Sequence, residues 1–463
     1  MSSPLPRVVI AGTQSGVGKT SVSLALVAAL RRRGLKVQTF KVGPDFLDPS
    51  HLARASGRPC YNLDGWMTDR NYVRQLFDRV TRDADLAVVD GVMGLFDGAD
   101  PAANEGSTAE IACWLEAPVL LVVNAHGLAR SIAALVKGYA EFDPRIRVAG
   151  VIANRSGSDR HRKWLAAALA AAGGPPLLGA IPRGAFPDLP SRHLGLVTAD
   201  AQNLSESILE QLGSVLEKAV NLEGLIEKAR QAPALAPPRR FPAPEMINPA
   251  VRIGLARDPA FHFYYPDNLD ALAERGVVWV PFSPLVEPDL PSDLDALYLG
   301  GGYPEEFAAA LSENRLLVEA IRRFAASGKP LYAECGGLMY LSQGIETRDG
   351  GKFPLVGLLP IWTRMLERLK TLGYVEVRLD RTGPWGLPGT TLRGHEFHYS
   401  EPVREPDAAE GWQRAYHLKR RRSNREEREG YQRDRILASY VHLHWASRPE
   451  AAAALIQYCG ATS

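Results

Sequence analysis

Short unbroken apolar runs alternate along the chain with stretches whose apolar residues recur every three or four positions. Residues 8–11 form the first run. A glycine-rich loop follows, and then SVSLALVAALRRRG, which keeps helical spacing up to Gly34. This order predicts strand, loop and helix. Further runs rich in Val and Leu stand at 36–40, 86–89, 119–123 and 147–153. Unbroken runs belong to strands covered on both faces, so a parallel sheet flanked by helices is expected. Six prolines between 233 and 249 interrupt the pattern. Beyond them the alternation resumes, with strands expected at 251–256, 277–280, 296–299 and 330–333 and helices near 268–275 and from Glu305. The reading is an α/β chain with a nucleotide-type domain over 1–232, a Pro-rich linker over 233–250 and a second α/β domain over 251–463.

Length agrees with two domains, since 463 residues exceed what one core usually serves. Hydrophobic residues at 46% and charged residues at 23% allow sizeable cores and exclude a wholly disordered chain. Lys+Arg total 54 against 52 Asp+Glu, without the basic excess of a nucleic-acid binder. No apolar run reaches the ~18 residues of a membrane span. The N-terminal run leads straight into a glycine loop and reads as a strand rather than a signal peptide. Cys60, Cys113, Cys335 and Cys459 are far apart, so reduced thiols in a cytoplasmic protein are expected. The stretch 417–429, HLKRRRSNREERE, carries both signs and reads as a solvated surface segment.

The loop at 12–20, GTQSGVGKT, is a variant phosphate loop with one residue more between its first glycine and the GKT than the common form. Gly12, Thr13, Ser15, Gly16, Val17 and Gly18 would turn backbone N–H groups toward an anion at a helix N-terminus. Lys19 would reach the terminal phosphates and Thr20 a Mg²⁺ ion. Carboxylates for the metal are sought at the ends of neighbouring strands: Asp45 and Asp48 in KVGPDFLDP, Asp90 and Asp97 in VVDGVMGLFDG. Asp45 and Asp90 read as functional. For Asp48, before Pro49, and Asp97, before Gly98, cap and turn roles stay open beside a functional one.

In PLYAECGGLMYLS a strand runs into Cys335 and paired glycines, and a helical stretch follows. Such an elbow exposes a nucleophile, and the helix N-terminus is expected to lower its pKa. His395, His398, His442 and His444 are candidate bases, the last two sharing a face if they lie on a strand. Gly301, Gly302 and Gly336 are candidate oxyanion donors. Arg130, Arg155, Arg192 and His193 are candidates for anion contacts, with surface or capping roles equally open.

Taken together, AGTQSGVGKT, FKVGPDFLDPSHL, DGVMGLFDG, NRSGSDRH, LPSRHLGLVTA, GGGYPE, AECGGLMYL, GHEFHYS and SYVHLHW resemble the cobyrinic and hydrogenobyrinic acid a,c-diamide synthases over nearly the whole chain. The resemblance implies a dethiobiotin-synthetase-like P-loop domain and a class I glutamine amidotransferase domain. It further implies ATP bound by the loop and by Asn154, Mg²⁺ organised by Thr20, Asp45 and Asp90, Cys335 as glutaminase nucleophile and His442 as its base. His444 stands where many class I enzymes have an acid, which implies a Cys–His dyad. The implied partners are L-glutamine and a tetrapyrrole polycarboxylate, with neither nucleic acid nor membrane; a homodimer is left open. Asp90 replaces the family's usual Glu, Phe46 stands where Tyr is common and Asn124 where Asp is common. Relatives that amidate sirohaem or nickel-sirohydrochlorin share the motifs. ParA/MinD-like switch ATPases share the phosphate loop, although a cysteine elbow is foreign to a switch.

Overall fold

The computed structural model describes residues 4–188, 204–239, 250–406, 410–421 and 426–460. The chain divides into two compact units, Met1–Phe241 and Pro242–Ser463. Arg192, His193, the LPSRHLGLVTA motif, most of the proline-rich stretch and residues 422–425 of the charged run lie outside the described residues.

The first unit is built on a parallel sheet. Its strands are β1 (Arg7–Gly12), β2 (Val37–Val42), β3 (Tyr61–Leu63), β4 (Leu86–Asp90), β5 (Val119–Asn124), β6 (Val148–Ser156) and β7 (Leu177–Pro182). Their spatial order is β3-β2-β4-β1-β5-β6-β7. β1, β2 and β4 are buried at every position, as strands covered on both faces must be. Helix α1 (Lys19–Arg32) packs on one face and is buried continuously from Val22 to Leu30, against the sheet and the helix Glu206–Ala219. Helix α2 (Leu47–Ser56) follows β2. Parallel strands bring the loops after β1, β2 and β4 to one edge, where ligands bind in open α/β sheets.

The second unit carries a ten-stranded sheet. Five parallel strands come first: Val278–Phe282, Arg252–Ala256, Ala296–Leu299, Leu331–Glu334 and Ile436–Ser439. An antiparallel extension of Glu426–Arg433, Gln413–Arg420, Thr371–Leu379, Thr391–His398 and His442–His444 continues it. The helix expected from Glu305 opens as a 3₁₀ turn, Pro304–Phe307, with Pro304 at its start, and continues as the helix Ala308–Glu313. The described residues of the charged run are exposed or half-buried apart from Leu418, and all but Arg421 lie on paired strands. Its two described arms pair as a hairpin, with Tyr416, Leu418 and Tyr431 buried and the charges between them. No described helix is long and apolar enough to cross a membrane.

Candidate active sites of the two units

The phosphate loop leaves β1 at Gly12 and enters α1 at Lys19. Neighbouring elements hold its backbone: Leu95 N–H donates to Gly12 O at 2.8 Å, and Thr13 N–H donates to Val122 O at 3.2 Å. Ser15 and Gly16 form the exposed tip, whereas Val17 and Lys19 are buried. Lys19 Nζ donates to Gln14 O at 3.3 Å. Burial, then the neighbouring Lys41 charge, lowers the Lys19 pKa. Asn154 Nδ2 donates to Val17 O at 2.9 Å, so the structure shows this residue bracing the loop.

Beside the loop, β2 and β4 pair in register with Lys41 opposite Asp90. Lys41 Nζ lies 2.6 Å from Asp48 Oδ2 and 2.8 Å from Asp90 Oδ2. Thr20 Oγ1 donates to Asp48 Oδ2 at 3.0 Å and lies 3.5 Å from Asp90 Oδ2, while Ser23 donates to Asp90 Oδ1 at 2.6 Å. Asp90 is fully buried, which raises its pKa against the opposing pull of Lys41. Asp48 is held below the ordinary carboxylate range by Lys41 and Thr20, against its own burial. Lys41, although buried, is held charged by Asp48 and Asp90.

Of the two aspartates before α2, Asp48 joins this cluster. Asp45 Oδ1 accepts from Leu47 N–H at 2.8 Å and Asp48 N–H at 3.2 Å, a turn that starts the helix. Asp97 Oδ2 likewise accepts from Gly94 N–H at 2.9 Å, a turn role. The sequence reading passed over Lys41. Its signal was a lysine within the apolar run at 37–42, where a solvated side chain has no place.

Hard oxygen donors from Thr20, Asp48 and Asp90 converge within 3.5 Å of the threonine hydroxyl. Two carboxylates and a hydroxyl beside a phosphate loop suit Mg²⁺, which takes its remaining ligands from phosphate and water.

In the second unit Cys335 occupies a sharp turn with φ 49° and ψ −104°, strained for a residue with a side chain. Its N–H donates to Ser439 O at 2.7 Å on the adjacent strand. The short helix Gly336–Leu341 follows. The glycines permit close approach: a Cβ on Gly337 would lie 2.1 Å from Leu299 O, and one on Gly336 would lie 3.1 Å from Gly302 N. The elbow therefore rests directly on the turn after Ala296–Leu299. Burial pushes the Cys335 thiol up, and the Glu305 charge adds to it; the Gly336 N–H opposes both. This reverses the expected lowering. A helix of six residues brings a weak dipole, and desolvation outweighs it.

His442 and His444 do share one buried face of their strand. The His442 ring stacks on His395 at 5.1 Å, and its Nδ1 lies 3.7 Å from Glu334 Oε2. Its opposite edge faces Gly301, where an added Cβ would meet Cε1 at 2.4 Å and Nε2 at 3.2 Å. His444 is otherwise engaged, with Nε2 3.2 Å from Asp267 Oδ2 and its ring against Tyr265 at 4.9 Å. His395 Nδ1 is 2.9 Å from Tyr265 Oη, and burial with the neighbouring histidines pushes its pKa well down. His398 Nδ1 is 2.7 Å from Ser400 O, and its ring stacks on Tyr440 at 4.1 Å. Gly301 and Gly302 bridge to Phe263 and Phe261.

Family models match both units. That of the CobQ/CobB/MinD/ParA nucleotide binding domain covers residues 8–197, and that of the CobB/CobQ-like glutamine amidotransferase domain covers residues 252–450. A nucleotide-binding unit and a glutamine amidotransferase unit in one chain define a glutamine-dependent ligase. Proteins named cobyrinate a,c-diamide synthase are similar over the full length. The one from Syntrophotalea carbinolica is 61% identical over 98% of both chains, and the one from Leptospira interrogans is 44% identical over 99% of both. The one from Archaeoglobus fulgidus is 41% identical over 96% of this chain and 95% of its own. The chain belongs to the cobyrinate a,c-diamide synthase family, as its motifs implied.

Proposed function

We propose that this protein amidates the a and c acetate carboxylates of a cobyrinate- or hydrogenobyrinate-type tetrapyrrole in cobalamin biosynthesis, with ATP and L-glutamine. The carrying observation is the pairing, in one chain, of a phosphate loop beside the Thr20–Lys41–Asp48–Asp90 cluster with a cysteine elbow resting on the Gly301–Gly302 turn that His442 faces. Full-length likeness to relatives of that name supplies the substrate.

In the second unit Cys335 Sγ attacks the side-chain amide carbon of glutamine. Because burial disfavours the free thiolate, His442 must take the thiol proton, and it returns that proton to the departing ammonia. Water then cleaves the thioester to glutamate. N–H groups of the Gly301–Gly302 turn and of Gly336 would stabilise the oxyanion.

In the first unit a carboxylate must become electrophilic before ammonia can displace an oxygen. Transfer of the γ-phosphoryl group of ATP to that carboxylate gives an acyl phosphate, and ammonia displaces phosphate from it. The loop N–H groups and Lys19 would hold the triphosphate, braced by Asn154. Thr20, Asp48 and Asp90 would hold Mg²⁺, which neutralises charge during phosphoryl transfer. Asp45 would act through Asp48 by fixing the start of α2. Reduced cysteines and the supply of ATP and glutamine suit the cytoplasm.

Incubation with cobyrinate, hydrogenobyrinate, sirohaem or nickel-sirohydrochlorin, each with ATP, Mg²⁺ and glutamine, tests the reading by mass spectrometry. Each amidation replaces OH by NH₂, so two successive shifts on cobyrinate or hydrogenobyrinate are expected. Shifts confined to another tetrapyrrole would overturn the substrate assignment. ATP hydrolysis without any amidation would favour a switch.

A further inference from the structure

An acid is missing two positions after the proposed base, because His444 stands there. The structure places a different carboxylate beside His442. Glu334 ends the strand Leu331–Glu334, immediately before the nucleophile, and is buried. Its Oε1 accepts from Tyr332 Oη at 2.5 Å and from Leu443 N–H at 3.2 Å. Its Oε2 accepts from Tyr298 Oη at 2.8 Å and lies 3.7 Å from His442 Nδ1. Each of these hydrogen bonds is donated by the partner, as a carboxylate, which only accepts, requires. Burial and the Glu334 charge push both phenols well up, which keeps them as O–H donors.

We infer that Glu334 is the positioning residue of the glutaminase site, completing a Cys335–His442–Glu334 triad from the position preceding the nucleophile. The inference rests on the glutaminase reading proposed above. Two features carry it. Glu334 faces the Nδ1 side of His442, while the Nε2 edge faces the Gly301 turn on which the Cys335 elbow rests. Holding the ring proton at Nδ1 makes Nε2 the ring's proton acceptor for the thiol, and the carboxylate then stabilises the imidazolium. Glu334 also holds Leu443 N–H, so it fixes the strand that carries the base. A separation of 3.7 Å is loose for a hydrogen bond, and such contacts often tighten when substrate binds. His444 cannot serve, because its ring is engaged by Asp267.

The test is Glu334→Gln in the full chain, with glutamate release and ammonia-driven amidation measured side by side. Glutamine-dependent kcat should fall about 10²-fold or more, the scale of a lost general base, with little change in KM. Ammonia-driven amidation should persist. The kcat/KM limb that reports His442 should move to lower pH, since a negative charge has been removed. His395, stacked on that ring, is unchanged by the substitution, as are His444 on the same strand and the Cys335 thiol. Glu334→Asp should recover part of the activity and of the pH profile. Wild-type turnover in Glu334→Gln, or a loss without displacement of the profile, overturns the inference. A separate measurement needs no variant: ¹⁵N NMR of His442 in the wild-type chain should show the Nδ1–H tautomer. The Nε2–H tautomer would overturn the assignment even where the variant does not fold. A wild-type chain that releases no glutamate from glutamine would sink the glutaminase reading itself, and the triad with it.

Discussion

Lys41 and Asp90 face each other across β2 and β4, their strand positions in register and Nζ 2.8 Å from Oδ2. Asp48 lies on the same ammonium at 2.6 Å. Without this lysine the Asp48 and Asp90 carboxylates would share the Thr20 hydroxyl with no positive charge on either. Its charge pulls both toward the carboxylate form a metal needs, against the burial that raises Asp90.

Lys41→Met should therefore cost stability as well as activity. Removing one partner of a buried ion pair typically costs about 3–5 kcal/mol. Urea unfolding should show a loss of that order, and ammonia-driven amidation should fall to background. An unfolding midpoint equal to wild type would show that the cluster carries no such energy.

Cys335→Ser should abolish glutamine-driven amidation and leave ammonia-driven amidation in place, since the phosphate loop lies in the other unit. Replacing Cys60, Cys113 or Cys459 should leave both activities near wild type. Loss of both activities in folded Cys335→Ser would argue against two separate chemistries.

His442→Asn should depress glutamate release far more than His444→Asn, because His442 faces the Gly301 turn and His444 faces Asp267. Equal losses, or a larger loss at His444, would reverse the assignment.

What could be read from the chain beforehand was local. The phosphate loop, the elbow at Cys335 and the parallel strands each lie within one short stretch whose residue types declare it. Lys41 and Glu334 gain meaning only through strand register, which sets Lys41 beside Asp90 and Glu334 opposite Ser439, three residues before His442. The antiparallel strands were hidden because charges break their alternation; QRAYHLKR at Gln413–Arg420 is mostly polar and yet buries Ala415, Tyr416 and Leu418. From sequence Asp45 reads as a metal carboxylate and Asp48 stays open, the reverse of what the structure places at the cluster, since a helix start and a metal site both call for an aspartate there.

Gly301→Ala should impair the glutaminase without touching the first unit. The new Cβ would stand 2.4 Å from His442 Cε1, so the ring must move. A displacement near 1 Å at a catalytic group can cost on the order of 10²-fold. Glutamate release should fall by about that factor while ammonia-driven amidation holds. Unchanged glutamate release would place the base elsewhere.

Asp45 and Asp48 should separate by substitution and by pH. Asp48→Asn removes a carboxylate from the Thr20–Lys41–Asp90 cluster and should stop ammonia-driven amidation. Asp45→Asn keeps an oxygen that can accept from Leu47 and Asp48 N–H, so it should retain much of that activity. The pH dependence of stability distinguishes them further. Burial, reinforced by the Asp48 charge, pushes Asp45 up to about 7. The folded chain therefore keeps a proton that the unfolded chain releases near pH ~4. That contribution is whole below the unfolded pKa and is lost as pH rises through about 7. Asp48 is shifted down by Lys41 and Thr20, so its contribution is present at neutral pH and fades as pH falls. Asp45→Asn should flatten the decline in unfolding free energy between about pH 4 and 7, and Asp48→Asn should flatten the acid limb instead. Unfolding curves for the two variants across that range decide the matter. Identical pH profiles, or amidation lost in Asp45→Asn and kept in Asp48→Asn, would return Asp45 to the metal and leave Asp48 as the helix residue.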